Sequence, residues 1–463
     1  MRTNAQSALD KGLIAPADID AVLLRLFRVR LRLGHFDPAG VLQTIGADQV
    51  CTPYALELAR DGVRQSAVLV KNTAGYLPLN AAAFKTAIVI GPNNAVRDTF
   101  TYYGGVACNG SQASAIDAIA QHIPGATGLK GVPDVGSADQ SGIPAAAAAA
   151  AAADLVVLAI GSDLMLEREG HDRTDIALSA AQQALIAAVA AAAKNPIVAL
   201  VFYGGAVDIS PLLNNTKVAS VLMLGQPSVQ VVGAGDVIFG RTLDGRAVAP
   251  AGRMSQMVYP ADFVNQVSMF EFGMRPGPSA WPPGSSPGRT YRFFTGTPVL
   301  PFGYGLSYTT WVYTPLPDPA PPATATALRT LSLAGVEAAA RAHAATGTVG
   351  HIPSALKEVA AQFWVNVTNT GAVDSDDVVL GFLVPPGAGE NGVPLQELFG
   401  FERVFVRAGE TVTVYLGAQG YRFCQADREG VRHALRGQYT VRFGIRESAA
   451  LGMGFAEQAL LAV

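Results

Sequence analysis

Long apolar runs alternate with helical patterns over the first half of the chain. Five runs predict buried strands, at residues 67–70, 87–90, 155–160, 197–202 and 218–224. Each run is continuous and rich in β-branched residues, which is typical of strands covered on both faces. The stretches between and around them predict helices at 53–65, 111–122, 145–153, 180–194 and 228–239; the third of these is an alanine run. The alternation predicts an α/β domain with helices on both faces of a mostly parallel sheet.

The N-terminal 40 residues hold one more helical pattern. Residues 9–33 predict a single amphipathic helix, with Pro16 suited to a helix start and Gly34 following the end. Ile19, Leu23 and Leu26 form its apolar stripe. A single helix cannot bury such a stripe, so it is expected to belong to a larger unit.

The pattern changes after residue 244. Residues 244–308 are rich in glycine, proline and aromatic side chains and predict irregular structure long enough to be functional. Residues 313–323 predict a proline-rich linker, and 324–350 an alanine-rich insertion. Short alternating strands follow at 363–367, 378–384, 411–416 and 438–443, which predicts an antiparallel β-sandwich of about 100 residues.

Composition excludes several classes of function. A chain of 463 residues is expected to form two or three domains, and its net charge of −3 gives no basic excess for nucleic acid or a membrane surface. No run of 18 apolar residues occurs, and residues 1–10 do not resemble a signal peptide. The three cysteines are far apart and indicate neither a zinc site nor a dense disulfide framework. Sequons at Asn109, Asn214 and Asn366 support secretion only weakly.

Candidate chemistry is concentrated in one loop, Glu-Arg-Glu-Gly-His-Asp-Arg at 167–173. It lies between the predicted strand 155–160 and a helix that begins near Ser179, which is where an α/β domain places ligands. It contains two glutamates, Glu167 and Glu169, followed by His171, Asp172 and Arg173. The competing interpretation is a solvated loop whose acids and arginines pair with one another.

Several motifs together resemble glycoside hydrolase family 3, in particular its plant and fungal β-xylosidase-like branch. They lie at 30–37, 67–72, 90–93, 167–173, 288–294 and 301–308, and at 367–371 and 398–403 in the predicted β-sandwich. The segment 301–308, Pro-Phe-Gly-Tyr-Gly-Leu-Ser-Tyr, is the most specific of these.

The resemblance implies a domain division. Residues 1–40 resemble a remnant of the last barrel helix with its linker, and 41–307 the family's C-terminal α/β-sandwich domain. Residues 308–361 comprise a strand, the proline-rich linker and the insertion, and 362–463 resemble a fibronectin type III-like domain. Most of the family's N-terminal (β/α)8 barrel, which carries the aspartate nucleophile, is expected to be absent from this chain.

The resemblance also implies roles for the loop. A retaining glycosidase uses one carboxylate as nucleophile and a second as acid/base. Glu167 is the first choice for the acid/base, because the resemblance aligns that role with the first acidic position of the Glu-x-Glu-Gly stretch. Glu169 is the close alternative, since the spacing alone does not choose between them. His171, Asp172 and Arg173 are expected to contact substrate or shape the loop.

The expected function is therefore that of a β-xylosidase-like glycosidase in xylan catabolism, inactive as this fragment because the nucleophile is missing. Its expected substrates are terminal β-linked xylosides or related oligosaccharides, and the missing barrel, encoded by the same gene, is an expected partner. No metal or cofactor is expected, and the resemblance implies an extracellular or cell-wall location. The alternative is a non-catalytic carbohydrate-binding or interaction protein.

Overall fold

Six strands form one sheet in the computed structural model, which describes residues 4–96, 108, 112–227, 229–280, 283–317, 329–345, 352–427 and 429–463. The strands are β1 (Val68–Asn72), β2 (Ala87–Ile90), β3 (Thr127–Leu129), β4 (Leu155–Gly161), β5 (Ile197–Phe202) and β6 (Val218–Gly225). Their spatial order is β1-β6-β5-β4-β2-β3, and every neighbouring pair is parallel except β1 with β6. Every residue of β2, β4 and β5 is buried, so both faces of the sheet are covered. The predicted mostly parallel, helix-covered sheet is confirmed.

The helices in this part of the chain lie close to the predicted positions. They are Pro53–Ser66, Ala115–Ala120, Ile143–Ala152, Ala180–Ala192 and Gly233–Phe239, and a further short helix, Ser210–Leu213, has no predicted counterpart. In the alanine-rich helix, Ala146 and Ala150 are fully buried one turn apart, so this helix packs through small side chains on one face. The helix predicted at 111–122 begins only at Ala115, because Ser114 caps it by accepting a hydrogen bond from Asp117 N. Two predicted helix positions, 111 and 228, lie outside the described residues.

The chain divides into two units, Met1–Ala55 and Leu56–Val463. The prediction of a single helix over 9–33 in the first unit is wrong. Two helices form, Ala5–Asp10 and Pro16–Arg32, because Gly12 takes a left-handed φ of 66° and Pro16 starts the second helix. The predicted stripe is largely exposed, with Leu23 and Leu26 at 41% and 49%.

Residues 244–308 are mostly irregular, as their composition predicts. They contain the short helices Phe263–Gln266 and Thr290–Phe293 and a hairpin of β7 (Gly277–Ala280) and β8 (Pro283–Ser286). Three aromatic rings in this segment pack together: Tyr259 stacks on Phe263 with centroids 4.1 Å apart, and Phe294 meets Tyr259 edge-on at 5.0 Å. This aromatic cluster fixes a segment that has little regular hydrogen bonding of its own.

Two antiparallel sheets form the C-terminal β-sandwich. Its strands are β9 (Trp311–Leu316), β10 (Arg329–Leu331), β11 (Val359–Asn369), β12 (Ser375–Val384), β13 (Glu397–Val406), β14 (Thr411–Gln419), β15 (Cys424–Ala426), β16 (Arg432–Ala434), β17 (Gly437–Gly444) and β18 (Phe455–Ala462). One sheet has the order β10-β18-β17-β12-β13, antiparallel except for β10 with β18, and the other has the order β14-β11-β9. β15 and β16 form a separate two-stranded antiparallel sheet. The predicted β-sandwich is confirmed. Helices Ala334–Ala344, Ser354–Lys357 and Arg446–Ala449 accompany it.

A buried polar contact ties the β-sandwich to the α/β part. Asp377 on β12 is fully buried and pairs with the guanidinium of Arg253. Its second oxygen accepts a hydrogen bond of 2.6 Å from the hydroxyl of Tyr313 on β9. Removing any one partner would leave a buried polar group unsatisfied, so this triad holds the two parts in one arrangement.

Candidate active site

The loop 167–173 leaves the sheet at the carboxyl end of β4. Gly161, the last residue of β4, pairs with Phe202, the last residue of β5, so the loops that follow both strands share one edge. β4 also neighbours β2, and the chain order along the sheet reverses between these two strands. Ligands bind at such reversal points in open α/β sheets.

A buried glutamine fixes the strand end from which the loop starts. Gln182 is fully buried in the helix Ala180–Ala192. Its side-chain amide donates to Gly161 O at 3.0 Å and accepts from Gly161 N at 2.9 Å. It also donates to Val135 O at 2.8 Å. The loop therefore begins from a rigid point.

Glu167 is held by three donors. Its Oε1 accepts hydrogen bonds from Gly205 N at 2.8 Å and from the Ser162 hydroxyl at 3.0 Å. Its Oε2 lies 2.7 Å from Arg173 Nε. The side chain is 21% exposed. Oε1 thus accepts two hydrogen bonds and Oε2 one ion pair, so the carboxylate form satisfies all three donors.

The glycines after β5 make room for this carboxylate. A Cβ on Gly204 would lie 2.9 Å from Glu167 Oε1, and one on Gly205 would lie 3.0 Å from Glu167 Oε2. A side chain at either position would therefore clash with the Glu167 carboxylate. The double glycine lets the backbone of one loop approach the acid of the other.

Arg173 is the second fixed member of the loop. Its side chain is 9% exposed, and its Nη2 donates to Ala206 O at 2.7 Å. Its Nη1 is buried and has no hydrogen-bond partner among the described residues. An unpaired buried donor in a folded protein calls for an explanation, and a bound ligand or an ordered water would supply one.

Glu169 lies at the apex of the loop. The backbone groups of Arg168 and His171 bond to each other in both directions, at 3.0 and 2.9 Å. Gly170, between Glu169 and His171, has a φ of 74°, which a tight turn requires at this position. Glu169, His171 and Asp172 are all exposed. The turn thus presents one glutamate outward while Glu167 faces inward.

A cavity of about 820 Å³ lies beside the loop. Glu167, Asp172 and Arg173 line it, whereas Glu169 and His171 do not. The opposite wall includes Tyr259, Phe263, Met269, Phe270 and Arg289. The loop side of the cavity is therefore charged, and the opposite side is mostly aromatic and apolar apart from Arg289, a combination suited to a polyhydroxylated ligand with an apolar ring face.

Arg289 holds the apolar wall in place. Its Nη2 donates to Ser268 O at 2.9 Å and to Glu271 O at 2.7 Å. Met269 and Phe270, between those carbonyls, are 65% and 70% exposed. The sequence motifs single out Arg289 but not these two residues. The signal that could have found them is a pair of large apolar residues inside a glycine- and proline-rich segment.

Neighbouring motif residues make structural contacts. Tyr291 stacks on Phe302 at 4.4 Å, and Arg292 pairs with Glu397 at 3.1 Å. Burial raises the pKa of Tyr259, whose hydroxyl accepts a hydrogen bond of 2.7 Å from Thr290 N. Among the residues that the structure describes, no group of three or more His, Cys, Asp or Glu side chains is arranged to hold a metal ion.

Comparison with known proteins decides the family. Residues 67–308, a little over half of the chain, match the family model of the glycosyl hydrolase family 3 C-terminal domain. The chain belongs to glycoside hydrolase family 3. The resemblance carried by 288–294 and 301–308 is thereby confirmed. Residues 377–446 match the fibronectin type III-like domain, which identifies the β-sandwich of this family 3 chain.

The relatives of this family 3 chain include plant and fungal enzymes. Beta-D-xylosidase 1 of Arabidopsis thaliana is 33% identical over 445 residues, which is 95% of this chain and 55% of the relative. The probable exo-1,4-beta-xylosidase bxlB of Aspergillus fumigatus is 35% identical over 453 residues, or 95% of this chain and 53% of the relative. The chain thus spans about half the length of the curated relatives that it matches.

A solved structure shares the fold. It is a GH3 exo-beta-xylosidase (XlnD) in complex with a xylobiose aziridine activity-based probe. The two structures superpose with a TM-score of 0.82 at 26% identity, covering 100% of this chain and 55% of the other. The family 3 α/β-sandwich and its fibronectin type III-like domain therefore occur here in the arrangement of a known β-xylosidase.

Proposed function

We propose that this chain supplies the acid/base half of a retaining, β-xylosidase-like glycoside hydrolase active site. The observation that carries the proposal is the exposed position of Glu169 on a turn whose base is anchored by Glu167 and Arg173. The names of the plant and fungal relatives support β-linked xylosides as substrates.

Glu169 takes the acid/base role in this proposal. Its protonated carboxyl donates to the glycosidic oxygen as the bond from that oxygen to the anomeric carbon breaks. The nucleophilic aspartate forms a glycosyl ester at that carbon. The Glu169 carboxylate then takes a proton from the water whose oxygen displaces the aspartate, which returns both groups to their starting states.

Glu167 acts as a positioning residue in this proposal. An acid must turn a protonated oxygen toward the leaving group, but both Glu167 oxygens accept hydrogen bonds or an ion pair from Ser162, Gly205 and Arg173. Its contacts favour holding the loop on the sheet edge. The order of preference that the family resemblance implies is therefore reversed in the proposal.

Asp172 and Arg173 are proposed to contact sugar hydroxyls. Both line the cavity, and Arg173 Nη1 supplies a donor without a partner among the described residues. The exposed side chains of Met269 and Phe270 on the opposite wall would meet the apolar face of a pyranose ring. His171, which is exposed and outside the cavity lining, is proposed to shape the turn.

The nucleophile is proposed to come from a (β/α)8 barrel, the domain that carries it in this family. The chain by itself is then inactive, and a barrel from the same gene or another chain completes the site. An extracellular or cell-wall location is also proposed. Over the described residues, no helix is long and apolar enough to cross a membrane.

Hydrolysis of 4-nitrophenyl β-D-xylopyranoside tests this proposal. The chain alone should release no nitrophenol above background. Fused behind the N-terminal half of the Arabidopsis beta-D-xylosidase 1, it should hydrolyse the substrate with retention of configuration. Turnover by the chain alone, or inversion by the fusion, would contradict the proposal.

A further inference from the structure

The fibronectin type III-like domain carries an unusual outer surface on its three-stranded sheet. Three rungs of directly paired residues cross from β11 to β14: Trp364 with Tyr415, Asn366 with Thr413, and Thr368 with Thr411. We refer to these six residues as the aromatic–hydroxyl face. It extends about 13 Å along the strands, at roughly 3.3 Å per residue.

Cross-strand contacts organise this face. The Trp364 and Tyr415 rings lie 5.4 Å apart, inclined by 55°. The Thr413 hydroxyl donates to Asn366 Oδ1 at 2.7 Å, and the Thr368 and Thr411 hydroxyls are 2.8 Å apart. Because these contacts lie on paired strands, the rings and hydroxyls are held in place before any ligand arrives.

The Tyr415 side chain extends toward an adjacent glycine on the same strand. A Cβ on Gly417, two residues further along β14, would lie 2.9 Å from the Tyr415 hydroxyl. The glycine therefore leaves room for the tyrosine to extend along the sheet. Tyr415 remains 45% exposed in this position, so part of its ring is available to a ligand.

The outward strand positions around the face lack charge. The outward positions of the three strands are Val312, Thr314, Leu316, Val359, Gln362, Trp364, Asn366, Thr368, Thr411, Thr413, Tyr415, Gly417 and Gln419, and none of them is ionisable. The five-stranded sheet of the same domain carries surface ion pairs instead, Arg403 with Asp376 and Arg442 with Glu457. Protein surfaces ordinarily mix both charge signs, so the uncharged side departs from the pattern.

An uncharged polysaccharide matches this chemistry. Its binding would bury no protein charge at this face, which avoids the largest desolvation cost. Tryptophan and tyrosine offer apolar rings with a polar edge, which suits the apolar face and hydroxyl rim of a sugar. The threonine hydroxyls and the Asn366 amide are donors and acceptors of the type that sugar hydroxyls pair with.

We propose that the aromatic–hydroxyl face binds a segment of an uncharged β-linked xylan chain, as a site separate from the cavity beside Glu167. The choice of a xylose polymer rests on the proposed function, whereas the choice of a neutral polysaccharide rests on the face itself. The site would keep the protein on polymeric substrate between encounters with chain ends.

Affinity electrophoresis of the full chain in gels containing soluble neutral xylan tests the proposal. Xylan should retard the wild-type chain. Trp364→Ala and Tyr415→Ala should each weaken the apparent association by about three- to tenfold, the range of one aromatic contact. Phe401→Ala and Phe405→Ala are matched controls, because these exposed aromatics lie on the five-stranded sheet, and retardation should stay within about twofold of wild type.

Two further variants guard against misfolding. Tyr415→Phe keeps the ring and should keep most of the retardation, whereas Thr413→Val removes one hydroxyl at nearly constant volume and should weaken it. The assay measures binding without hydrolysis, so its result is independent of whether the chain, or a fusion containing it, turns over xylosides.

Three results would overturn the proposal. The first is equal retardation of the wild type and a Trp364→Ala/Tyr415→Ala double variant. The second is dissociation of an oligomer by Trp364→Ala in sedimentation, which would assign the face to a second copy of this chain. The third is a glycan on Asn366 in protein from a secreting host, detected by mass spectrometry, because it would cover the face.

Discussion

Arg173 Nε lies 2.7 Å from Glu167 Oε2 across the base of the loop. The loop 167–173 has five charged side chains. Glu167 and Arg173 form an inner pair, and Arg168, Glu169 and Asp172 form an exposed outer set. The inner pair anchors the loop to the sheet edge, and the outer set faces solvent. The interpretation of a solvated charged loop therefore holds only for the outer side chains of 167–173, because Glu167 is bound by backbone and side-chain donors.

Removing the guanidinium should loosen the loop. Arg173→Ala should lower the free energy of unfolding by about 1–3 kcal/mol, because it leaves a partly buried carboxylate without its ion pair. Arg168→Ala, an exposed neighbour, should change it by less than about 0.5 kcal/mol. Urea denaturation followed by circular dichroism measures both. Equal effects would mean that the inner pair has no special role.

Two glycine substitutions should act in opposite directions. Gly205→Ala places a Cβ 3.0 Å from both Glu167 Oε2 and Arg173 Nη2, so it should destabilise the loop and the protein. Gly62→Ala, in an exposed helix position with no atom within 4 Å, should stabilise the protein by about 0.5–1 kcal/mol. Thermal unfolding compares them. A stabilising Gly205→Ala would contradict the close approach.

The triad between the two parts of the fold should matter more than a neighbouring surface pair. Arg253→Met should cost about 3–5 kcal/mol, because it leaves Asp377 charged and fully buried. Arg403→Met removes the adjacent pair with Asp376, where both side chains are 33% exposed, and should cost less than about 1 kcal/mol. Urea denaturation should show this order. A similar cost for both would exclude a role for the triad in holding the parts together.

Stability should depend on Asp236 at low pH. Burial alone would raise the pKa of Asp236, but hydrogen bonds from His122, Arg60 and Arg64 outweigh it and hold the pKa below its usual range. A depressed pKa stabilises the folded state above the unfolded value of about 4, and the gain is lost as pH falls through the folded pKa.

The matching variant is Asp236→Asn. It should destabilise strongly at pH 7, and its difference from wild type in urea denaturation should shrink between about pH 4 and pH 2. Glu390→Gln, at an exposed loop position, should show little difference at either pH. A gap between wild type and Asp236→Asn that stays constant across this range would contradict the depressed pKa.

Much of the fold could be predicted because strands buried on both faces are continuous apolar runs in the sequence. β4 and β5 are fully buried, so their runs contain no polar residue and their positions are clear. β3 escapes prediction because Thr127–Leu129 is short and mostly exposed. The prediction of one helix over 9–33 is wrong because the apolar pattern is continuous across Gly12, where the backbone is left-handed and the first helix ends.

The division of roles within the site could not be predicted. Glu167 and Glu169 are two residues apart and chemically identical, and what distinguishes Glu167 includes a hydrogen bond from Gly205, which is distant in sequence. The apolar wall at Met269 and Phe270 depends on Arg289 binding the carbonyls on either side, a contact that no periodicity reports. Sequence motifs identify the loop 167–173, but the positions of its side chains depend on contacts with residues distant in sequence, such as Gly205 and Ala206.

Azide rescue tests the central claim most directly, in the fusion that carries the Arabidopsis barrel. Removing a general acid/base should slow turnover of a xyloside with a poor leaving group by about 10²–10⁴-fold. Azide needs no base, so it should accelerate the second step in Glu169→Ala and yield β-xylosyl azide. The same treatment of Glu167→Ala should give no azide product. β-Xylosyl azide from Glu167→Ala, and none from Glu169→Ala, would contradict the account.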